Sequence, residues 1–297
     1  SLQRSLEAGG DALPKRDVKR VEQTIKTLEP FVTTVTIRVG RPFGPFTSAG
    51  RGQAGRVFDG ERVWARATVP GFSGHLWAPD IFAHDGRFYL YYSVSAFGRN
   101  TSAIGVAVNE TLDPASPDYA WVDHGPVLVS VPVRDDWNAI DPAIVEDEDG
   151  VQWMSFGSFW DGLKLVRLGP DLVSLAEPQE WHSLARRPRA PVPDADPGEG
   201  AVEAPFIFRK NGWYYLFVSF DKCCRGMDST YKVMVGRSRS VTGPYVDRDG
   251  TPMLDGGGTL VLAGDDDWVA LGHNAAYTFD GRDWLVLHAY ETADNAR

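Results

Sequence analysis

The chain has 297 residues, 43% hydrophobic and 12% aromatic, enough apolar surface for one large domain or two ordinary ones, which excludes a disordered polypeptide. Its 40 acidic side chains outnumber the 30 basic ones for a net charge of −10, so neither a nucleic-acid backbone nor an anionic membrane is an expected partner. No run nears the roughly 18 apolar residues of a membrane helix, the opening Ser1–Ser5 lacks a leader's apolar core, and the only cysteines, Cys223 and Cys224, build neither a disulfide framework nor a thiolate zinc site, a bridge between neighbours being awkward.

In chain order, residues 1–30 are rich in Lys, Arg and Glu and read as weakly helical, Phe31–Val39 reads as a strand, and residues 40–55 as a loop. A pattern then recurs four times: WAPDIFAHDG at 77–86 before RFYLYY, DPAIVEDEDG at 141–150 before VQWMSF, EAPFIFRKNG at 203–212 before WYYLF, and HNAAYTFDG at 273–281 before RDWLVL. Each is a short strand, an Asp-Gly or Asn-Gly turn, and an aromatic or β-branched strand, a strong hairpin signal. The turn glycines 86, 150, 212 and 281 lie 64, 62 and 69 residues apart, with further strand candidates at 103–108, 164–168 and 232–238. A period of that size with no amphipathic helix leaves room for about four strands per unit, the size of a propeller blade.

The expected fold is therefore all-β, a five-bladed β-propeller over residues 56–297. Residues 1–55 form an atypical segment, either a strongly diverged first blade or not a native blade sequence, and the last blade is short of strands where the chain reaches Arg297. Residues 185–200, with prolines at 188, 191, 193 and 197, read as a long surface loop.

Nine residues before the turn glycine stand Trp77, Asp141 and Glu203, and His273 stands eight before the fourth. The first strand of each blade lines a propeller's central channel, so equivalent positions converge at one mouth. A single Asp or Glu before Pro or Ala-Pro is readily explained as a turn former. Two at one phase of a repeat, beside a Trp and a His, point to a site. Glycoside hydrolysis needs one carboxylic acid to protonate the leaving oxygen and a second carboxylate to steer it or activate water, and an aromatic face stacks on a sugar ring.

Seven segments, HLWAPD (75–80), YYSVSAFGRNTS (91–102), NAIDP (138–142), FGSFWDG (156–162), EAPF (203–206), SFDKCCRG (219–226) and GHN (272–274), together resemble the endo-1,5-α-L-arabinanases of glycoside hydrolase family 43, in that family's order. The resemblance implies hydrolysis of internal α-1,5 links of arabinan and arabino-oligosaccharides with inversion. It makes Glu203 the general acid and Asp141 the carboxylate that raises the acid's pKa and orients substrate. His273 matches a histidine associated with a calcium ion in the central channel, held mostly through water, as suits a hard cation. Trp77 and Phe97 match subsite aromatics, and Gly98, Asn138, Ala139, Ile140, Ser158, Phe159 and Trp160 match substrate contacts. A monomer is expected, and a polymer substrate implies an extracellular enzyme although no leader is recognisable.

The family's third acid, the general base, lies in an Asp-Pro segment of the first blade, and residues 1–55 do not reproduce it. Asp11 and Asp17 fall in the right window, but neither is followed by Pro, an apolar pair and a turn, so the base is unassigned. Two rival readings follow: an arabinan-binding protein impaired in catalysis, and an exo-acting arabinofuranosidase or xylosidase of the same family. Smaller signals read as structure: Gly256–Gly258 precedes the strand-like Thr259–Leu262 and is a loop rather than a phosphate cradle, Asp265–Asp267 is a solvated turn, and Cys223-Cys224 shapes a loop near the channel mouth. Of the isolated histidines only His75, beside the Trp77 segment, suggests a subsite.

Overall fold

Turn chemistry organises the chain. Asp85 and Gly86 (φ 47° and 75°) and Asn211 and Gly212 (φ 51° and 70°) occupy the left-handed region in pairs, the backbone of a two-residue turn whose twist matches that of the strands it joins. In the computed structural model, which describes residues 57–58, 63–189, 200–279 and 281–292, such hairpins build three four-stranded antiparallel sheets and a further hairpin. After a short helix α1 (Val63–Thr68), the first blade comprises β1 (Leu76–His84), β2 (Arg87–Ser95), β3 (Ser102–Asn109) and β4 (Val122–Ser130). The second comprises β5 (Ala143–Glu146), β6 (Gln152–Phe156), β7 (Leu163–Arg167) and β8 (Trp181–Ala185). The third comprises β9 (Val202–Lys210), β10 (Trp213–Phe220), β11 (Lys232–Ser238) and β12 (Thr259–Leu262), and the fourth repeat supplies β13 (Trp268–Phe279) and β14 (Arg282–Glu291). The architecture is the expected five-bladed propeller. Residues 1–55, with Asp11 and Asp17, lie outside the described residues, as do residues 190–199 of the proline-rich loop.

The core lies between blades. Tyr91, Ile104, Met154 and Phe156 fill the space between the first and second, Leu163, Leu165, Leu216 and Val218 that between the second and third, and Phe217, Val233, Leu271 and Leu285 that between the third and fourth. Each such side chain contributes about 1.5–3 kcal/mol through its burial. The other face of the first blade, with Tyr92, Val94, Ala103 and Ala107, is covered by Ala65, Val69 and Phe72 from α1 and the turn after it.

One irregularity positions the site. Each inner strand carries a bulge near its start, where the pairing register moves by one residue: between Trp77 and Asp80, between Glu203 and Phe206, and between Gly272 and Ala275. In the second blade Gly157 N–H donates to the Ile140 carbonyl at 2.8 Å while Ala143 faces Ser155, which is the same offset. The residue inside each bulge is left-handed: Ala78 (φ 46°), Asp141 (57°), Ala204 (53°) and His273 (49°). Bulges of this kind re-aim side chains. They also correct the repeat phase read from the glycines, because Asp141 aligns with His273 and Ala204, whereas Glu203 and Trp77 align with Ile140 and Gly272. The cause is the β5–β6 connection, where Asp147 accepts the N–H groups of Asp149 and Val151 in a longer turn that delays the glycine by one residue.

The cysteines also depart from expectation. Cys223 and Cys224 are joined by a disulfide within the loop between β10 and β11, with Cys224 left-handed at φ 64°.

Candidate active site

The inner strands β1, β5, β9 and β13 lie side by side in that order, with their bulged ends at one mouth of the channel. The loops between β2 and β3, β6 and β7, and β10 and β11 surround the same end. Trp77, Asp141, Glu203 and His273 are thus brought together from four blades.

Serines from the second strands set the bulges. Ser93, opposite Trp77, accepts the Asp141 N–H at 3.0 Å, and Ser219, opposite Glu203, accepts the His273 N–H at 2.9 Å. In the second blade that place is held by Gly157, which has no hydroxyl. The Ala204 N–H instead donates to Asp141 Oδ2 at 3.0 Å, tying one carboxylate to the residue that follows the other.

Glu203 is held at both oxygens: Ser158 Oγ donates to Oε2 at 2.8 Å and the Tyr231 hydroxyl to Oε1 at 2.8 Å. Burial, and then the charge of Asp141, raise its pKa to about 7 against the pull of those two donors. Asp141, only 6% exposed, is likewise pushed up to about 7 by burial, opposed by the Ala204 N–H. A carboxyl that keeps its proton on about half the molecules at neutral pH, with a second carboxylate close enough to influence it, is the arrangement of a proton donor. Burial lowers the His273 pKa, which keeps its imidazole neutral, and its ring stacks on His288 at 5.9 Å between centroids.

The remaining expected residues divide into two groups. Phe97, 83% exposed, and Gly98 sit on the turn after β2 at the mouth, and Trp77 is half-buried at the start of the β1 bulge. Ser158 contacts Glu203 directly, and Phe159 is half-buried, its N–H bound to the Val202 carbonyl. By contrast, Asn138, Ala139, Ile140 and Trp160 are buried. Asn138 Oδ1 accepts from Ser102 Oγ at 2.6 Å, the Ala139 N–H goes to Ser130 Oγ, and the Ile140 carbonyl goes to Gly157. These bonds hold the backbone that leads into Asp141. His75 is exposed ahead of β1, and Asp265 caps its own turn by accepting from Asp267 and Trp268.

Two features of this end of the molecule escaped the sequence reading. Tyr231 follows the cysteine loop with no motif to mark it. Asp80, three residues beyond Trp77, is a third channel carboxylate, raised to about 7 by burial. It accepts the Ile144 N–H at 3.0 Å and the Tyr277 hydroxyl at 3.3 Å, so it joins the first blade to the second and fourth.

Comparison with known proteins agrees with this geometry. Residues 53–297 match the family model described as glycosyl hydrolases family 43. The chain is similar to an extracellular exo-α-(1→5)-L-arabinofuranosidase of Cellvibrio japonicus (strain Ueda107), 62% identical over 241 residues that cover 81% of this chain and 70% of that protein. It is similar to an extracellular endo-α-(1→5)-L-arabinanase of Bacillus subtilis (strain 168), 43% identical over 239 residues, or 80% of this chain and 68% of that one. Among solved structures, that of Cellvibrio cellulosa α-L-arabinanase complexed with arabinohexaose matches with a TM-score of 0.80 and 61% identity, covering 82% of this chain and 78% of that chain.

Proposed function

The chain belongs to glycosyl hydrolases family 43, and on that premise we propose that it is an arabinan hydrolase that cleaves internal α-1,5-L-arabinofuranosidic links with inversion at the anomeric carbon. The observation that carries the assignment is Glu203, held by Ser158 and Tyr231 with its pKa raised to about 7 beside Asp141. Glu203 gives its proton to the glycosidic oxygen as that bond to the anomeric carbon breaks. A water attacks the opposite face and loses its proton to a general base, which the family resemblance expects in an Asp-Pro segment ahead of β1 and which is unassigned in this chain. Asp141 keeps the donor protonated before the reaction and, through Ala204, fixes the backbone beside it. Trp77 and Phe97 supply stacking faces for arabinofuranose rings at the mouth.

The calcium ion that the family implies fits the donors near His273. Among the described residues no three His, Cys, Asp or Glu side chains gather to hold a metal. The neutral His273 ring and the buried Asn274 amide, which has no hydrogen-bond partner among the described residues, are the groups that would face it, the other positions going to water. When bound, the ion supplies fixed positive charge in the channel. A polymeric substrate favours an extracellular enzyme, as both relatives are by name, and the enzyme acts as a monomer in this reading.

Incubation of the chain with linear arabinan, beside Glu203→Ala, tests the reading. Release of arabino-oligosaccharides that the variant does not match supports it. No release above the variant, with arabinan binding retained by calorimetry, would make the chain a binding protein. Exo action is favoured by one observation, the name of the relative at 62% identity. A rapid fall in arabinan viscosity with products of mixed length marks the endo mode, and a single short product with little loss of viscosity marks the exo mode.

A further inference from the structure

Glu203 can act as a proton donor only if its proton sits on the oxygen that faces the scissile bond, and the hydrogen bonds around it decide which oxygen that is. The His273 backbone N–H can only donate, and it donates to Ser219 Oγ at 2.9 Å. Ser219 in turn hydrogen-bonds the Tyr231 phenol, and the Tyr231 hydroxyl meets Glu203 Oε1 at 2.8 Å. The His273 N–H occupies one lone pair of the Ser219 oxygen and leaves its hydroxyl hydrogen for Tyr231, whose own hydroxyl hydrogen goes to Glu203 Oε1. The Tyr231 ring is closely fitted: a Cβ on Gly272 would stand 2.1 Å from its Cδ1, so the ring occupies space that only a glycine leaves. The ring also stacks on His288.

We propose that Tyr231 is the positioning residue of the proton donor, reserving Glu203 Oε1 as an acceptor and so assigning the transferable proton to Oε2, the oxygen beside Ser158. The Ser158 hydroxyl, 2.8 Å from Oε2, is free to rotate. It donates to the carboxylate when Glu203 is ionised, accepts when Glu203 is protonated, and yields its place to the glycosidic oxygen of a bound arabinan. In the transfer, the Oε2–H bond breaks, the proton joins the leaving oxygen, and Glu203 is left as a carboxylate that again accepts from both hydroxyls. This assignment rests on Glu203 being the general acid.

The test compares Tyr231→Phe with wild type on two substrates, arabinohexaose and a 2,4-dinitrophenyl arabinotrioside whose leaving group departs without protonation. The variant keeps the ring and its packing and removes only the hydroxyl. On arabinohexaose we expect kcat to fall about 10- to 100-fold, within the range of acid catalysis, with KM changed less than about twofold. On the aryl substrate the loss should stay under about threefold, and Glu203→Ala should show the same selectivity more strongly. Equal losses on both substrates, no loss on either, or a change in KM alone would overturn the role of Tyr231. A wild-type chain inert on both substrates would instead sink the arabinan reading. In that event a crystal structure of Tyr231→Phe decides the positioning role alone: a turned Glu203 carboxylate upholds it, and an unmoved one refutes it.

Discussion

Replacing Asp80 with asparagine separates a structural carboxylate from a catalytic one. In the unfolded chain Asp80 titrates near 3.8, and in the folded channel it titrates at about 7, chiefly because burial penalises its charge. The folded state therefore holds the proton more tightly, and the stability this group confers is complete below about pH 4 and lost as pH rises through 7. Three pKa units correspond to about 4 kcal/mol, a ceiling because Asp80 is half-buried and channel water screens part of its charge. The amide preserves an acceptor for the Ile144 N–H, and the Tyr277 hydroxyl can rotate to suit it, while nothing remains to ionise. Urea unfolding of both proteins at pH 5 and pH 8 should show the variant gaining up to roughly 3 kcal/mol on wild type between the two. Parallel pH profiles would refute the burial argument. The same variant should retain arabinan hydrolysis within about threefold, since both oxygens of Asp80 are engaged in joining blades. A loss of about 100-fold or more would instead mark Asp80 as the general base.

Activity on arabinan should decline above about pH 7 as Glu203 loses its proton, and Asp141→Asn, which removes the neighbouring charge, should move that limb to lower pH in a kcat/KM profile. An unmoved limb would show that the two carboxylates do not interact. Gly272→Ala drives a methyl into the Tyr231 ring, so a stability loss of about 1–3 kcal/mol by thermal unfolding is expected. It should be accompanied by the kinetic selectivity expected of Tyr231→Phe. Phe97→Ala, at an 83% exposed position, should leave stability within about 0.5 kcal/mol while raising KM for arabinohexaose. An unchanged KM would remove Phe97 from the substrate path.

Much of the fold was legible because its signals are local. Asp-Gly and Asn-Gly turns and their aromatic flanks recur in every repeat, and the strand expected at 232–238 is β11. Glu203, Asp141 and His273 stood out for the same reason. Their relative phase did not, because counting from Gly150 assumes equal turns, and the Asp147 turn is longer. Asn138, Ala139 and Ile140 are expected as substrate contacts through the family resemblance alone, and the Ala139 side chain packs between the first two blades. Tyr231 and Asp80 act through partners 28 and 197 residues away, and no local pattern encodes such pairings.

The four bulges have a broader consequence. Each offers two adjoining sockets toward the channel, one on the strand and one left-handed: Trp77 and Ala78, Ile140 and Asp141, Glu203 and Ala204, Gly272 and His273. The backbone around every pair is alike, so chemistry can be exchanged at one socket without rebuilding its blade. The proposed acid, modulator, imidazole and stacking ring are thus variations on one two-residue scaffold, and an engineer seeking a new specificity has a small, enumerable alphabet of sites to rewrite.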